Sequence, residues 1–144
     1  VYTRYTPAPD GDADSCRLAL IDLTFASGEL ASIEVNADAG YGYEVRIEVM
    51  CEGGSVASNG LSSLQQRKAL KMAQPVAVDW LVRFEAAYCA EAQAWVQSIC
   101  TGKPGGPSSW DGYISMVIAD ACVRSARSGR PESVPVLEKP ALYR

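Results

Sequence analysis

The sequence predicts an α+β fold, in which an open and mainly antiparallel sheet carries two helices packed on one of its faces. Apolar and polar residues alternate in three segments between residues 19 and 51, and the pattern changes to helical spacing near residue 79. Strands and helices therefore occupy separate halves of the chain, without the βαβ alternation that builds a parallel sheet. The 144 residues suit a single domain, with strands at about 1–74 and helices at about 79–101 and 108–128.

Odd-numbered positions carry the apolar side chains of three predicted strands. These positions are Ala19, Ile21, Leu23 and Phe25, then Ala31, Ile33 and Val35, then Tyr43, Val45, Ile47, Val49 and Cys51. A constant parity over three segments predicts an antiparallel sheet with one covered face. Gly53-Gly54 predicts a tight turn into a short strand near residues 55–58, and two weak strands are expected between residues 62 and 74. Residues 2–5 are expected to add an edge strand, and residues 7–14 a loop.

Two helices are predicted from their apolar stripes and their end residues. Asp79 is a suitable N-cap for the first helix, and Gly102 is a suitable residue to end it. Its stripe consists of Trp80, Leu81, Phe84, Tyr88, Ala92, Trp95, Val96 and Ile99. In the second helix Ser108 and Asp111 have capping-box spacing, and Gly129 follows the last periodic residue. Its buried stripe is expected to be Ile114, Val117, Ile118, Ala121 and Cys122.

The absence of histidine is the sharpest limit on function. It excludes a Ser-His-Asp triad, a Cys-His pair and an HExxH zinc site within this chain, and we assign no catalytic and no metal-binding residue. The net charge is −4, and the sequence contains no basic stripe with interleaved aromatic residues of the kind that binds nucleic acid. Arg124, Arg127 and Arg130 fall in the last turns of a predicted helix, where they complement its dipole, so we expect no nucleic-acid partner.

The cysteines indicate a reducing compartment. Their number is odd, their spacing is irregular and they form no CxxC pair, so each is expected to be a small, inert, buried residue. The five are Cys16, Cys51, Cys89, Cys100 and Cys122. No segment reaches the roughly 18 apolar residues of a membrane span, and the first residues lack the layout of a signal peptide. We therefore expect a cytoplasmic protein with no membrane partner.

Two motifs that suggest nucleotide or carboxylate chemistry are discounted. The Gly- and Pro-rich run 102–108 has the composition of a phosphate loop, but it follows a predicted helix and its Lys103 precedes two prolines. A linker between two helices accounts for it better, and no GxGxxG fingerprint occurs elsewhere. Glu44 and Glu48 lie on the alternating polar face, so a solvated or inter-subunit surface is favoured over a glycosidase-type pair.

The stretch Tyr41-Gly42-Tyr43 allows two interpretations. Gly40 and Gly42 let the backbone bend between two strands, and the bend carries two phenols. One interpretation is a hairpin with an aromatic cross-strand pair. The other is a loop whose hydroxyl groups reach a polyhydroxylated ligand.

The C-terminal half resembles the inositol 2-dehydrogenase branch of the Gfo/Idh/MocA oxidoreductase family, and the similarity extends from about residue 18 to the end of the chain. It rests on Asp79-Trp80, Arg83-Phe84, Ala87-Tyr88, Gly106-Pro107, Trp110-Asp111-Gly112-Tyr113, Asp120-Ala121-Cys122-Val123, Ser128-Gly129, Glu138-Lys139-Pro140 and Tyr143. Tyr41-Gly42-Tyr43, followed by an acidic strand, also matches. The block from Trp110 to Val123 is the most specific part.

This resemblance implies a two-domain parent enzyme that oxidises one inositol hydroxyl to a ketone with hydride transfer to NAD. In the family, the cofactor and the catalytic lysine lie on an N-terminal Rossmann domain, with an aspartate and a histidine at the domain junction. None of these maps onto this sequence, which therefore looks like the C-terminal domain alone, inactive by itself and binding no cofactor. The isomer of inositol that is preferred, and the choice between NAD and NADP, stay open.

The residues carried over from the family are few. Tyr41 and Tyr43 are the expected substrate contacts, and a contact from one of them is expected more than contacts from both. Asp111 is a distant third, because helix capping already accounts for its presence. The triplet Glu138-Lys139-Pro140 spells a family catalytic motif, but it lies near the C-terminus rather than after a Rossmann strand. Lys139 is therefore not assigned to catalysis, since a general base must reach the reacting hydroxyl.

The resemblance also implies pairing of subunits through the open sheet. Even positions of the predicted sheet include large apolar residues, which a purely solvated face rarely keeps. These are Leu18, Leu20, Leu30 and Met50, and they lie beside Glu34, Glu44, Arg46 and Glu48. We expect a homodimer or homotetramer through this face. The alternative function is a free-standing, non-catalytic interaction domain that assembles through the same sheet.

Overall fold

The computed structural model of the chain describes residues 1–7, 16–58 and 66–143. The strands are, in chain order, β1 (Tyr2–Pro7), β2 (Cys16–Thr24), β3 (Leu30–Asn36), β4 (Glu48–Cys51), β5 (Gly54–Ala57), β6 (Gln66–Lys68) and β7 (Lys71–Ala73). The helices are α1 (Trp80–Thr101), α2 (Ser109–Ser128) and a short 3-10 helix, η1 (Ala141–Tyr143). These elements fall into two units, the first formed by Val1–Asp38 with Gly106–Arg144 and the second by Ala39–Gly105.

The first unit contains a three-stranded antiparallel sheet in the order β1-β2-β3. Ala19 pairs with Tyr5 on one side and with Val35 on the other, so the odd-numbered residues of the strands share one face, as predicted. Ala19 is 7% exposed at the centre of that face. The tip of the β2–β3 hairpin is closed by a hydrogen bond from the Gly28 amide to the Phe25 carbonyl.

Helix α2 packs against β1 of this sheet and buries the predicted stripe. Ala121 and Cys122 are buried, and Ile114, Val117 and Ile118 are half-buried. Ser125 is fully buried and joins three segments, because its hydroxyl accepts the Thr3 amide at 2.9 Å and donates to the Arg130 carbonyl at 2.6 Å. A side chain that satisfies a strand amide inside a helix–sheet contact fixes the position of the helix along the strand.

The second unit contains two hairpins and α1. Strands β4 and β5 pair around a turn at Glu52-Gly53, one residue before the predicted Gly53-Gly54, because Gly54 already pairs with Cys51; β6 pairs with β7. The tip of the second hairpin consists of Ala69 and Leu70, both with positive φ (51° and 61°). The prediction of two weak strands here is confirmed for residues 66–73, while residues 7–14, predicted as a loop, lie outside the described residues from residue 8 onward.

Both helices begin and end at the predicted residues. The Asp79 carboxylate accepts the Val82 amide at 2.9 Å, and Gly102 ends α1 in a left-handed conformation. Ser108 and Gly129 perform the same two roles for α2. The run 102–108 is therefore the linker between two helices, as predicted. Neither helix of the described chain combines the length and the apolar character needed to cross a bilayer.

Three expectations differ from the structure. The strand predicted for residues 43–51 forms only at Glu48–Cys51, because the Tyr43 backbone pairs with Ala77 instead. The apolar stripe of α1 is not buried in the structure, since Trp95 and Ile99 are 65% and 63% exposed. The cysteines are all free thiols, but only Cys122 is buried, and Cys51, Cys89 and Cys100 are exposed.

Candidate functional site

The tyrosine loop, residues 39–47, is tied to the segment that leads into α1. The Tyr43 amide donates to the Ala77 carbonyl at 2.8 Å. At Gly42, φ is +128°, and a Cβ added there would lie 2.7 Å from the Ala77 carbonyl oxygen. A larger residue could not occupy this position without moving the backbone, so the glycine is required by the close approach of the two segments.

The two tyrosines of the loop have different surroundings. The Tyr43 ring meets the edge of the Phe84 ring, with centroids 6.2 Å apart and an interplanar angle of 79°. Tyr41 is 66% exposed, against 37% for Tyr43, and makes no ring contact or hydrogen bond within the described residues. Tyr43 therefore packs inside its unit, while the Tyr41 phenol is exposed.

Phe84, Ala77 and Arg83 support the loop, and the sequence did not identify them as site residues. Ala77 is 4% exposed, and the Arg83 guanidinium lies 5.0 Å from the Phe84 ring and 3.4 Å from the Val45 carbonyl. Helical spacing placed Phe84 in an apolar stripe, which indicates burial but not the partner. The pairing of Tyr43 with Ala77 joins segments far apart in sequence, and no local pattern signals it.

Asp111, the third candidate, lies in the first unit and caps α2. Its carboxylate accepts the Ser108 amide and the Ser108 hydroxyl, each at 2.7 Å. These two hydrogen bonds, the one from the amide first, hold the pKa of Asp111 below its ordinary value of 3.8, and the charge of Lys139 adds a smaller effect. A carboxylate that is engaged in capping has a structural reason to be present, so capping accounts for Asp111.

Lys139 lies in the C-terminal tail, which runs back to the start of α2. The Tyr143 hydroxyl is 2.7 Å from the Ser109 hydroxyl, and the Tyr143 ring lies 6.1 Å from the Trp110 ring. The tail is thus fixed by Tyr143 on the same helix terminus that Asp111 caps. This arrangement gives Lys139 an electrostatic partner in Asp111.

The first unit also contains an apolar cleft of about 470 Å³ between α2 and the odd face of the sheet. Its lining includes Ile21, Ile33, Ile118 and Val123. The buried Thr3 hydroxyl also lines the cleft and has no hydrogen-bond partner among the described atoms. A polyol presents hydroxyl groups in every direction, so a cleft with this lining would leave most of them without partners. The cleft is therefore not suited to an inositol.

The described residues do not form a dinucleotide site or a metal site. A dinucleotide fold needs a strand, a Gly-rich turn and a helix in succession, and the Gly-rich run 102–108 instead joins two helices. Within the described ranges no three His, Cys, Asp or Glu side chains converge in a way that could hold a metal ion. The described residues thus lack the strand–turn–helix arrangement that would hold NAD.

Comparison with known sequences identifies a family. The model of the oxidoreductase family, C-terminal alpha/beta domain (Gfo/Idh/MocA), matches residues 4–136. An inositol 2-dehydrogenase of Rubrobacter xylanophilus is 47% identical over 100% of this chain and 42% of its own length. An inositol 2-dehydrogenase of Azotobacter vinelandii is 38% identical over 86% of this chain and 37% of its own length. The chain thus spans about two fifths of the curated relatives it matches.

Solved structures agree with this assignment. A myo-inositol dehydrogenase of Lactobacillus casei in complex with NAD(H) and myo-inositol superposes with a TM-score of 0.83 and 28% identity, covering 99% of this chain and 43% of that one. A myo-inositol dehydrogenase of Corynebacterium glutamicum gives a TM-score of 0.78 and 26% identity, over 97% of this chain and 43% of that one. The α+β prediction is confirmed, and the chain belongs to the Gfo/Idh/MocA oxidoreductase family as a C-terminal alpha/beta domain.

Proposed function

We propose that this chain provides part of the substrate pocket and the subunit interface of an inositol 2-dehydrogenase. The parent enzyme oxidises one hydroxyl of myo-inositol, or of a related polyol, to a ketone. The carbon gives up a hydride to NAD, and the hydroxyl gives up a proton to a base. Support comes from relatives named inositol 2-dehydrogenase, at up to 47% identity, and from the L. casei enzyme with NAD(H) and myo-inositol bound.

The open phenol of Tyr41 is the observation that carries this proposal. Inositol can be recognised only through its hydroxyl groups and the faces of its ring, and a phenol both donates and accepts hydrogen bonds. Tyr41 presents such a group on a loop whose backbone is held at Gly42 and Tyr43. We therefore assign the substrate contact to Tyr41 and a packing role to Tyr43, whose ring already contacts Phe84.

The base and the nicotinamide site belong, in this proposal, to the remainder of the parent enzyme. The chain has no histidine, and Lys139 lies in the tail that is fixed to α2. A cytoplasmic location is part of the same proposal and is supported by five free cysteines, since persistent disulfides characterise oxidising compartments.

The test uses the full-length parent enzyme with NAD and myo-inositol, and follows NADH absorbance. We expect NADH to form in proportion to the inositol supplied, while the chain of 144 residues alone forms none and gives no saturable NADH fluorescence titration. Failure of the full-length enzyme to reduce NAD with any inositol isomer would contradict the proposed function. Micromolar NADH binding by the chain alone, worth about −8 kcal/mol, would contradict the division of roles.

The sheet of the first unit supports the proposed subunit interface. Leu30 is 78% exposed on β3, and β3 is an edge strand among the described elements. Leu18 and Leu20 lie on the same even face and are only half-buried. An apolar row beside an unpaired strand edge is suited to a second copy of the chain. Arg46, predicted on the same even face, belongs instead to the second unit, where its Nε lies 3.6 Å from the Glu44 carboxylate.

A non-catalytic interaction domain remains the second candidate, and the same sheet face favours it. The two candidates differ in what the tyrosine loop does. A substrate pocket needs an exposed phenol on a constrained backbone, whereas an interaction domain does not. The effect of the Tyr41 hydroxyl on turnover therefore separates them.

A further inference from the structure

The position of the Tyr41 phenol depends chiefly on its backbone, because two thirds of the side chain is exposed. Within the described residues Tyr41 has neither a ring contact nor a hydrogen bond. Whatever fixes Gly42 and Tyr43 therefore fixes Tyr41 as well. The nearest restraints are the hydrogen bond from Tyr43 to Ala77 and the close approach of Gly42 to the same carbonyl.

These restraints lead to the first turns of α1. Ala77 lies two residues before Asp79, whose carboxylate caps the helix through the Val82 amide at 2.9 Å. One turn further on, the half-buried Phe84 ring meets the Tyr43 ring edge-on at 6.2 Å. The start of the helix thus holds the loop by its backbone at Ala77 and by a side chain at Phe84.

Phe84 is the side chain at which these contacts converge. One neighbour of its ring is Tyr43, and another is the Arg83 guanidinium at 5.0 Å. The Arg83 guanidinium also donates a hydrogen bond to the Val45 carbonyl at 3.4 Å. Val45 lies two residues after Tyr43 in the loop. Edge-to-face pairs fix the angle between two rings as well as their distance, so replacing Phe84 by an aliphatic side chain frees Tyr43 to rotate and shift.

We propose that Phe84 is a positioning residue of the substrate pocket, which sets the place of the Tyr41 hydroxyl through Tyr43 and Gly42. The inference rests on the proposed function, and it adds a residue that touches neither substrate nor cofactor. A misplacement of a contacting group by about 1 Å, caused from a distance, can cost roughly 100-fold in rate. Phe84 therefore influences substrate recognition without a contact of its own.

The experiment measures steady-state kinetics of the full-length parent enzyme with Phe84→Leu and Phe84→Met. We expect the KM for inositol to rise and kcat/KM for inositol to fall about tenfold, less than the ~100-fold associated with misplacement by a full 1 Å. The KM for NAD should stay within about twofold of the wild-type value. Phe84→Tyr keeps the ring and should restore near wild-type kinetics.

A matched control separates positioning from general loss of stability. Ala121→Gly removes a fully buried methyl group from α2, in the other unit, and should lower the Tm without changing the KM for inositol. If Phe84→Leu lowers the Tm but leaves the kinetics of inositol unchanged, as this control does, Phe84 has only a structural role and the inference is wrong.

A double-variant cycle tests the route through Tyr41. If Phe84 acts by placing the Tyr41 hydroxyl, Phe84→Leu should have little further effect once Tyr41→Phe has removed that hydroxyl. Independent, multiplicative effects of the two changes would overturn the inference while leaving the proposed function intact. If Tyr41→Phe alone leaves kcat/KM unchanged, the assignment of the substrate contact fails, and the role of Phe84 fails with it.

Discussion

At the scale of single residues, Gly42 determines how the two tyrosines of the loop differ. Its φ of +128° and its approach to the Ala77 carbonyl bring Tyr43 against Phe84 and leave Tyr41 exposed. The resemblance to the family gives Tyr41 and Tyr43 as the expected substrate contacts, and this stays a prediction. The different surroundings of the two rings depend on the contact with Ala77, which no local pattern indicates.

Gly42→Ala should therefore destabilise the second unit, whereas Gly40→Ala should not. A Cβ at Gly42 meets the Ala77 oxygen at 2.7 Å and occupies a φ that only glycine adopts easily, at a cost of about 1–3 kcal/mol. A Cβ at Gly40 meets nothing within 4 Å, so this change should be neutral or slightly stabilising. Urea unfolding followed by tryptophan fluorescence measures both, and equal midpoints for the two variants would refute the account of the loop.

At the scale of elements, the helices were predicted closely and the strands only in part. Helix ends depend on residues within a few positions, such as Asp79 and Gly102, so a local pattern locates them. Strands depend on partners, and the predicted strand at 43–51 was shortened because Tyr43 pairs with Ala77. The apolar stripe of α1 shows the same limit. Helical spacing indicates that a face is apolar, but it does not identify what covers that face.

The cap of α2 should make its stability depend on pH. The folded state lowers the pKa of Asp111 below 3.8, so the ionised carboxylate favours folding above that pH, and its contribution is lost as the pH falls through the lowered folded value. Asp111→Asn should therefore lower the Tm at neutral pH, with a difference from the wild type that shrinks below pH 3.8. Thermal unfolding from pH 7 to pH 2.5 measures this difference, and a gap that stays constant over that range would be inconsistent with the carboxylate's role.

At the scale of the whole molecule, the chain spans about two fifths of the length of the relatives it matches. It carries large exposed apolar residues, such as Leu30 and Met50, which suit contacts with surfaces outside the described residues. The given sequence contains no histidine and no GxGxxG motif, and both statements follow directly from its residues. Substrate and cofactor, by contrast, could be inferred only through resemblance.

Self-association through the even face of the sheet is expected at this scale. Leu30, 78% exposed on edge strand β3, should lose contact with water in a dimer or tetramer, and Leu30→Asp should shift the equilibrium toward monomer. Sedimentation velocity at high micromolar concentration measures the shift. Leu70→Asp, which changes a 109% exposed residue at a hairpin tip of the other unit, serves as the control and should leave the oligomer intact. A wild-type chain that is strictly monomeric would argue against this interface.

The most direct measurement compares kcat/KM for inositol in full-length enzymes that carry Tyr41→Phe or Tyr43→Phe. Deleting the hydroxyl leaves one desolvated substrate group without its partner, at a cost of about 1–3 kcal/mol, so Tyr41→Phe should lower kcat/KM by roughly 5- to 150-fold. Tyr43→Phe keeps the ring against Phe84 and should leave kcat/KM within about twofold, with only a small loss of stability. The KM for NAD should change in neither variant. Wild-type kcat/KM in the Tyr41→Phe enzyme, or a fall confined to Tyr43→Phe, would contradict the assignment of the substrate contact.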